Sequence, residues 1–158
     1  MNVPVNKASL ESMDEQSINW VEGFVATYQK LNNSNLNKLA DIYHQDITFR
    51  DPLHQIQGVD NLTNYFEHLY ENLISSEFVL ISHIDKGSEA AIYWQMHLRH
   101  KKINSGNTIT VEGHSLLRRQ DNRVIYHRDY FDIGSMIYEH LPVLGWIIRL
   151  IKRKASDQ

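Results

Sequence analysis

The apolar positions change period once along the chain, from helical spacing in the first half to alternation in the second. Ile18, Val21, Val25, Tyr28 and Leu31 recur three or four residues apart, with Trp20 and Phe24 widening the stripe, and predict an amphipathic helix. Ser12-Met13-Asp14-Glu15 opens that helix as a capping box, in which serine and glutamate satisfy each other's orphan backbone donors. Ahead of it, residues 1–11 are polar, contain Pro4 and show no period, which predicts a flexible tail. Asn32-Asn33-Ser34-Asn35 breaks the helix, and a short second one carries Leu36, Leu39, Ile42 and Tyr43. Ile47, Thr48 and Phe49 alternate briefly as a strand until Asp51-Pro52 stops it, because proline lacks the ladder donor. After Gly58, a third helix over residues 60–73 sets Leu62, Phe66, Leu69 and Leu73 on one face.

Residues 78–132 read as strands. Ile92, Trp94, Met96 and Leu98 alternate with Tyr93, Gln95, His97 and Arg99. Val111, Gly113, Ser115 and Leu117 share a face opposed by Thr110, Glu112, His114 and Leu116, and Gln120-Asp121-Asn122 makes a tight hairpin. Helices first and a meander of strands afterwards is an α+β order. The expected architecture over residues 12–132 is a cone-shaped curved antiparallel sheet packed on three N-terminal helices, its mouth a ligand pocket. Residues 133–158 add a C-terminal amphipathic helix with a basic tail, its apolar face built from Leu141, Leu144, Ile147, Ile148 and Ile151 and its start marked by Pro142. That helix docks on the cone or on a second subunit, caps the pocket, or lies on a membrane surface, the last suggested by Trp146 and the cluster Arg149, Lys152, Arg153 and Lys154.

Composition narrows the function. A net charge of −3 lacks the basic face of a nucleic-acid binder, and the absence of cysteine removes disulfide, thiolate and zinc-thiolate chemistry. His97 and His100 lie three apart on a strand and point to opposite faces, so no metal site is expected. Without a basic segment followed by an apolar run at the start, the expectation is a soluble cytoplasmic protein.

Two stretches, residues 36–52 (LNKLADIYHQDITFRDP) and 116–132 (LLRRQDNRVIYHRDYFD), together with the element order, resemble the nuclear transport factor 2-like superfamily, which includes ketosteroid isomerases and SnoaL-like polyketide cyclases. The resemblance spans residues 14–132 and implies a small apolar ligand and catalysis without a cofactor; the polar-aromatic strand face of Tyr93, Gln95, His97, Arg99, Glu112 and His114 is either the interface of a homodimer or a solvated face. Asp51 falls where the isomerases keep their proton-shuttling aspartate, with Thr27 rather than Tyr28 at the aligned tyrosine place and Ser115 at that of the second donor. Asp129 falls where the cyclases keep an acid/base aspartate, whose partner histidine again aligns with Ser115.

The chemistry needs a carboxylate whose pKa burial has raised, or two carboxylates whose values are split in one pocket. Asp129 shares a strand face with Ile125, His127 and Phe131, so the expected pocket has Asp129 and Asp51 as catalytic candidates and Ser115, His127, Tyr28, Trp94, Met96, Phe131, Val111 and Leu117 around them. Two plainer readings stand beside this one. Asp51 can simply cap the Asp-Pro turn, and Asp129 can pair with Arg128, Arg123 or Arg118. The domain then either catalyses an isomerase, cyclase or lyase reaction or only binds and dimerises.

Overall fold

The computed structural model describes residues 20–156; the N-terminal capping box and the tail before it lie outside the described residues. Helix α1 covers residues 20–28 and buries Val21, Phe24 and Val25, the stripe expected from its spacing. It ends where Asn32 and Asn35 turn their side chains onto nearby backbone, Asn35 Nδ2 donating to Lys30 O at 2.9 Å and Ser34 N to Asn32 Oδ1 at 2.9 Å. A 3₁₀ turn, Leu36–Lys38, runs into α2, Leu39–Ile42.

Strand β1, Tyr43–Arg50, then takes over, so Tyr43 belongs to the sheet and not to the second helix. Helical spacing from Leu39 and Ile42 disguised it, and a register shift between Tyr43 and Thr48 breaks the alternation that would have revealed it. The short β2, Gln55–Gln57, and α3, Val59–Glu71, follow, separated by Gly58 at φ 83°. Strands β3 (Leu73–Asp85), β4 (Glu89–His100), β5 (Ile109–Gln120) and β6 (Arg123–Phe131) complete the sheet, with β3 starting five residues earlier than the alternation suggested.

The curved six-stranded sheet has the order β2-β1-β6-β5-β4-β3. It is antiparallel as expected except at one seam, where β1 runs parallel to β6. The β5–β6 hairpin turns through Asp121 and Asn122, both left-handed at φ 51° and 61°, in the conformation that matches the twist of its strands. A bulge at its base leaves Ile125 between the paired residues Val124 and Tyr126, so Val124 enters the core and Ile125 does not. From His127 to Phe131 the odd positions face inward, as the alternation required.

The inner face carries Ile92, Trp94 and Leu98 from β4, Val111, Ser115 and Leu117 from β5, and His127 from β6, all buried against α1, α2 and α3. On the outer face Arg128 lies over Tyr130 at 4.6 Å and His114 stacks on Tyr130 at 4.7 Å, an exposed cross-strand ladder. After β6, Asp132 caps α4 (Ile133–Met136) by accepting from Gly134 N and Ser135 N. A 3₁₀ turn, Tyr138–His140, leads to α5, Pro142–Ser156, with proline at its first position as expected. No helix among the described residues is long and apolar enough to cross a membrane.

Gly113 pairs with Trp94 across the β4–β5 ladder and leaves the space the indole fills: a Cβ there would meet the Trp94 ring at 2.6 Å and Tyr130 O at 2.7 Å. Gly113→Ala is therefore expected to lower unfolding free energy by about 1–3 kcal/mol. Gly23→Ala, in α1 with nothing within 4 Å of its added methyl, should raise stability or leave it unchanged. Urea unfolding of the two variants beside the parent protein checks both signs.

Candidate functional site

An apolar cavity of about 380 Å³ opens between the helices and the inner face of the sheet. That volume falls within the usual range of small-molecule sites, ~300–1,000 Å³. Phe24 and Tyr28 reach it from α1, Phe49 from β1, Tyr65 and Phe66 from α3, and Phe78, Trp94, Met96 and Phe131 from the strands. Ile133, Met136 and Ile137 close one side, while the exposed Leu53 and Leu69 form its rim. Of the residues expected from the sequence, Asp129, Asp51, Ser115, His127, Tyr28, Trp94, Met96 and Phe131 all line it. Val111 and Leu117 do not. They are sealed in the core at 1% and 0% exposure, packed away from the cavity. Of the two neighbours on α1, Tyr28 and not Thr27 lines the cavity.

Asp129 is the organising polar group. Its Oδ1 accepts from Ser115 Oγ across the ladder and from His127 Nε2 at 2.7 Å along its own strand. Ser115 Oγ in turn accepts from Trp94 Nε1 at 2.8 Å, which fixes the serine proton on the aspartate side. His127 is 2% exposed, and its other nitrogen, Nδ1, lies 2.6 Å from the Tyr43 hydroxyl. With Nε2 donating to a carboxylate, Nδ1 is left as an acceptor and Tyr43 donates to it. Two side chains thus hold one carboxylate oxygen, each backed by a further partner, and Oδ2 takes no hydrogen bond from the described residues. None of the arginines weighed from the sequence pairs with Asp129: Arg118 bonds Glu89 at 2.6 Å and Arg128 lies over Tyr130.

Asp51 sits differently. Its Oδ1 accepts from Leu53 N at 2.7 Å and His54 N at 2.6 Å, the local turn that Asp-Pro favours. The His54 ring approaches the same oxygen at 3.2 Å, and Tyr65 donates to Oδ2 at 2.6 Å. Both of its oxygens are occupied, so Asp51 caps a turn and lines the cavity at once.

Burial pushes the hydroxyls of Tyr43 and Tyr28 well above the ordinary value of 10.0, with the negative charge of Asp129 adding to it. Tyr65 is raised by burial first, and then by its hydrogen bond to Asp51. All three keep their protons, and Tyr43 and Tyr65 donate theirs to His127 and Asp51. The Tyr28 hydroxyl makes no hydrogen bond to the described residues and lines the cavity. Tyr43 and Tyr65 escaped notice as site residues, the first because it ended a helical pattern and the second because an aromatic on a helix face reads as core. The His127-x-Asp129 spacing was the available signal, since residues two apart on a strand share a face.

A family model described as a SnoaL-like domain matches residues 21–127, most of the chain, and the chain belongs to that family. Among solved structures, a hypothetical protein of Catenulispora acidiphila with a ketosteroid isomerase-like fold, in complex with trimethylamine, superposes with a TM-score of 0.66 at 16% identity, covering 78% of this chain and 93% of its own. An NTF2-like protein of Burkholderia pseudomallei gives 0.66 at 13% identity, over 76% of this chain and 93% of that one. An M. tuberculosis LEH-like epoxide hydrolase gives 0.63 at 16% identity, over 88% and 97%. The family match bears out the superfamily resemblance, and these likenesses bear out the fold. No curated protein matches the chain significantly.

Replacing Tyr43 by phenylalanine leaves His127 Nδ1 buried without a donor and is expected to cost about 1–3 kcal/mol at neutral pH. The same tyrosine shapes the alkaline limb. Its folded pKa exceeds the unfolded value near 10.0, so above that pH the unfolded chain loses phenolic protons the folded chain keeps. Stability present below about pH 10 is therefore lost as pH rises beyond it. Tyr43→Phe should flatten that loss. Urea midpoints measured from neutral pH to about pH 11 test this, and an equally steep loss in the variant would contradict it.

Proposed function

We propose that this SnoaL-like domain takes a small apolar carbonyl compound into its cavity and moves a proton at the adjacent carbon, with Asp129 as general base and Tyr28 as hydrogen-bond donor. The observation that carries the proposal is the division of labour on Asp129. Ser115 and His127 fix Oδ1, which leaves Oδ2 as the oxygen with uncommitted lone pairs, in a cavity that also holds the unpartnered Tyr28 hydroxyl.

In the step itself, Oδ2 accepts the proton from the carbon beside the carbonyl. The C–H electron pair moves into the new C=C bond, and the carbonyl oxygen becomes an enolate oxygen that accepts from Tyr28. Return of the proton to the same or another carbon gives exchange or isomerisation, and attack of the enolate carbon on a second carbonyl gives ring closure. The apolar walls of Phe49, Phe66 and Trp94 exclude water and strengthen both interactions. His127 and Tyr43 position the base without touching substrate. The family and the likeness to a protein with a ketosteroid isomerase-like fold support this class of chemistry, and the size and lining of the cavity support an apolar ligand.

A second reading, ligand holding without turnover, has one observation in its favour: Asp51, the other carboxylate, is engaged on both oxygens and is not free to act as a second acid or base.

The test is deuterium incorporation from heavy water into a panel of small apolar cyclic ketones, followed by NMR beside a binding assay. The protein should accelerate exchange at the carbon next to the carbonyl. Asp129→Asn should lose about 10²–10⁴-fold of that rate, and Tyr28→Phe about 10²–10³-fold, with binding largely kept. Binding without exchange would establish the second reading.

A further inference from the structure

Helix α5 meets the rest of the protein through Gly145, with the exposed Arg149 and Lys152 reaching the same turn. At 100° per residue, Gly145, Arg149 and Lys152 share one side, and Val143, Leu144, Ile147 and Ile151 share the opposite one. The first side meets the protein. Gly145 lies so close to the Tyr138–His140 turn that a Cβ would fall 2.1 Å from Glu139 O. Arg149 Nη1 donates to that same carbonyl at 3.1 Å, and Lys152 Nζ pairs with the Glu139 carboxylate. The apolar side faces away, with Val143 73%, Trp146 59% and Ile151 60% exposed. Gly145 is the residue that lets α5 approach the turn so closely.

Charge identifies what covers that face. Between Pro142 and Ser156 the helix has Arg149, Lys152, Arg153 and Lys154 and no acidic residue, in a chain whose net charge is −3. Arg153 follows Trp146 by seven residues and Lys154 follows Ile147 by seven, so each cation continues the line of its apolar residue at the C-terminal end of the helix. A second copy of the strip offers no carboxylate to balance them, whereas an anionic lipid surface does. A helix about 22 Å long cannot span a bilayer but can lie in its interface, with tryptophan and aliphatic side chains inserted and the basic groups at headgroup level.

We infer that α5 is an in-plane anchor that holds this protein on anionic membranes through Val143, Trp146, Ile147 and Ile151, with Arg153 and Lys154 on the lipid headgroups. The segment just before it, through Ile133, Met136 and Ile137, lines the cavity. Docking therefore keeps the cavity one short turn from the bilayer, where an apolar ligand partitions.

Co-sedimentation of the full chain with vesicles tests the inference. It should bind vesicles of equal parts phosphatidylglycerol and phosphatidylcholine, bind pure phosphatidylcholine far less, and be released by salt. Val143→Glu with Ile151→Glu should abolish binding, and Arg153→Glu with Lys154→Glu should weaken it about tenfold or more. All four positions are exposed, so thermal unfolding should be unchanged in both variants. The tryptophan emission of the parent protein should shift to the blue on vesicles, and the shift should vanish in Trp146→Phe. No binding to the anionic vesicles, or undiminished binding by Val143→Glu/Ile151→Glu, would overturn the inference. So would a vesicle-independent dimer in sedimentation velocity that this double variant dissolves.

Discussion

A carboxylate can sit in an apolar cavity only if donors inside the protein replace the water it gives up. Asp129 meets that requirement with two donors on a single oxygen, and much of the surrounding structure serves to deliver them. Ser115 can donate because Trp94 occupies its lone pair; Trp94 can reach Ser115 because Gly113 leaves room for the indole on the neighbouring strand. His127 can donate because Tyr43 satisfies its far nitrogen, and Tyr43 is in place because β1 runs alongside β6. Each buried polar group in the series would cost about 1–3 kcal/mol if its neighbour were lost, so the series holds together as a unit.

The two carboxylates of the cavity show how environment separates roles. Asp51 stands at the end of β1, where the chain must turn through Pro52, and the turn claims its Oδ1 while Tyr65 claims its Oδ2. Asp129 lies mid-ladder, where the backbone amides are already paired with neighbouring strands, so its donors come from side chains and converge on one oxygen. The proposed proton transfer uses this difference, taking Asp129 as the base because one of its oxygens is left open.

The alternation in β4 and β5 made the sheet and its inward face legible, because a two-residue period places Trp94, Ser115 and Leu117 without reference to anything distant. The same period put His127 beside Asp129. What it could not supply was depth: Val111 and Leu117 share the inward face with Ser115 but lie under the core rather than beside the cavity. Tyr43 was illegible for another reason. Its strand is defined by parallel pairing with residues some eighty positions later, and an irregular register hides the pattern locally. With serine at position 115, the strand carrying Asp129 supplies the partner histidine itself, His127. For α5, periodicity showed which residues share a side but not which side turns inward; the close approach of Gly145 to Glu139 decides that.

The proton inventory of the Tyr43–His127–Asp129 series is the point on which this account stands most directly. Long-range proton–nitrogen NMR of the histidine rings reads it without substrate. The expected result is a neutral His127 with its proton on Nε2 and a bare Nδ1 accepting from Tyr43, which leaves Asp129 as the acceptor a general base must be. A His127 proton on Nδ1, with Nε2 bare toward Asp129, would require the aspartate to be the donor and would contradict it.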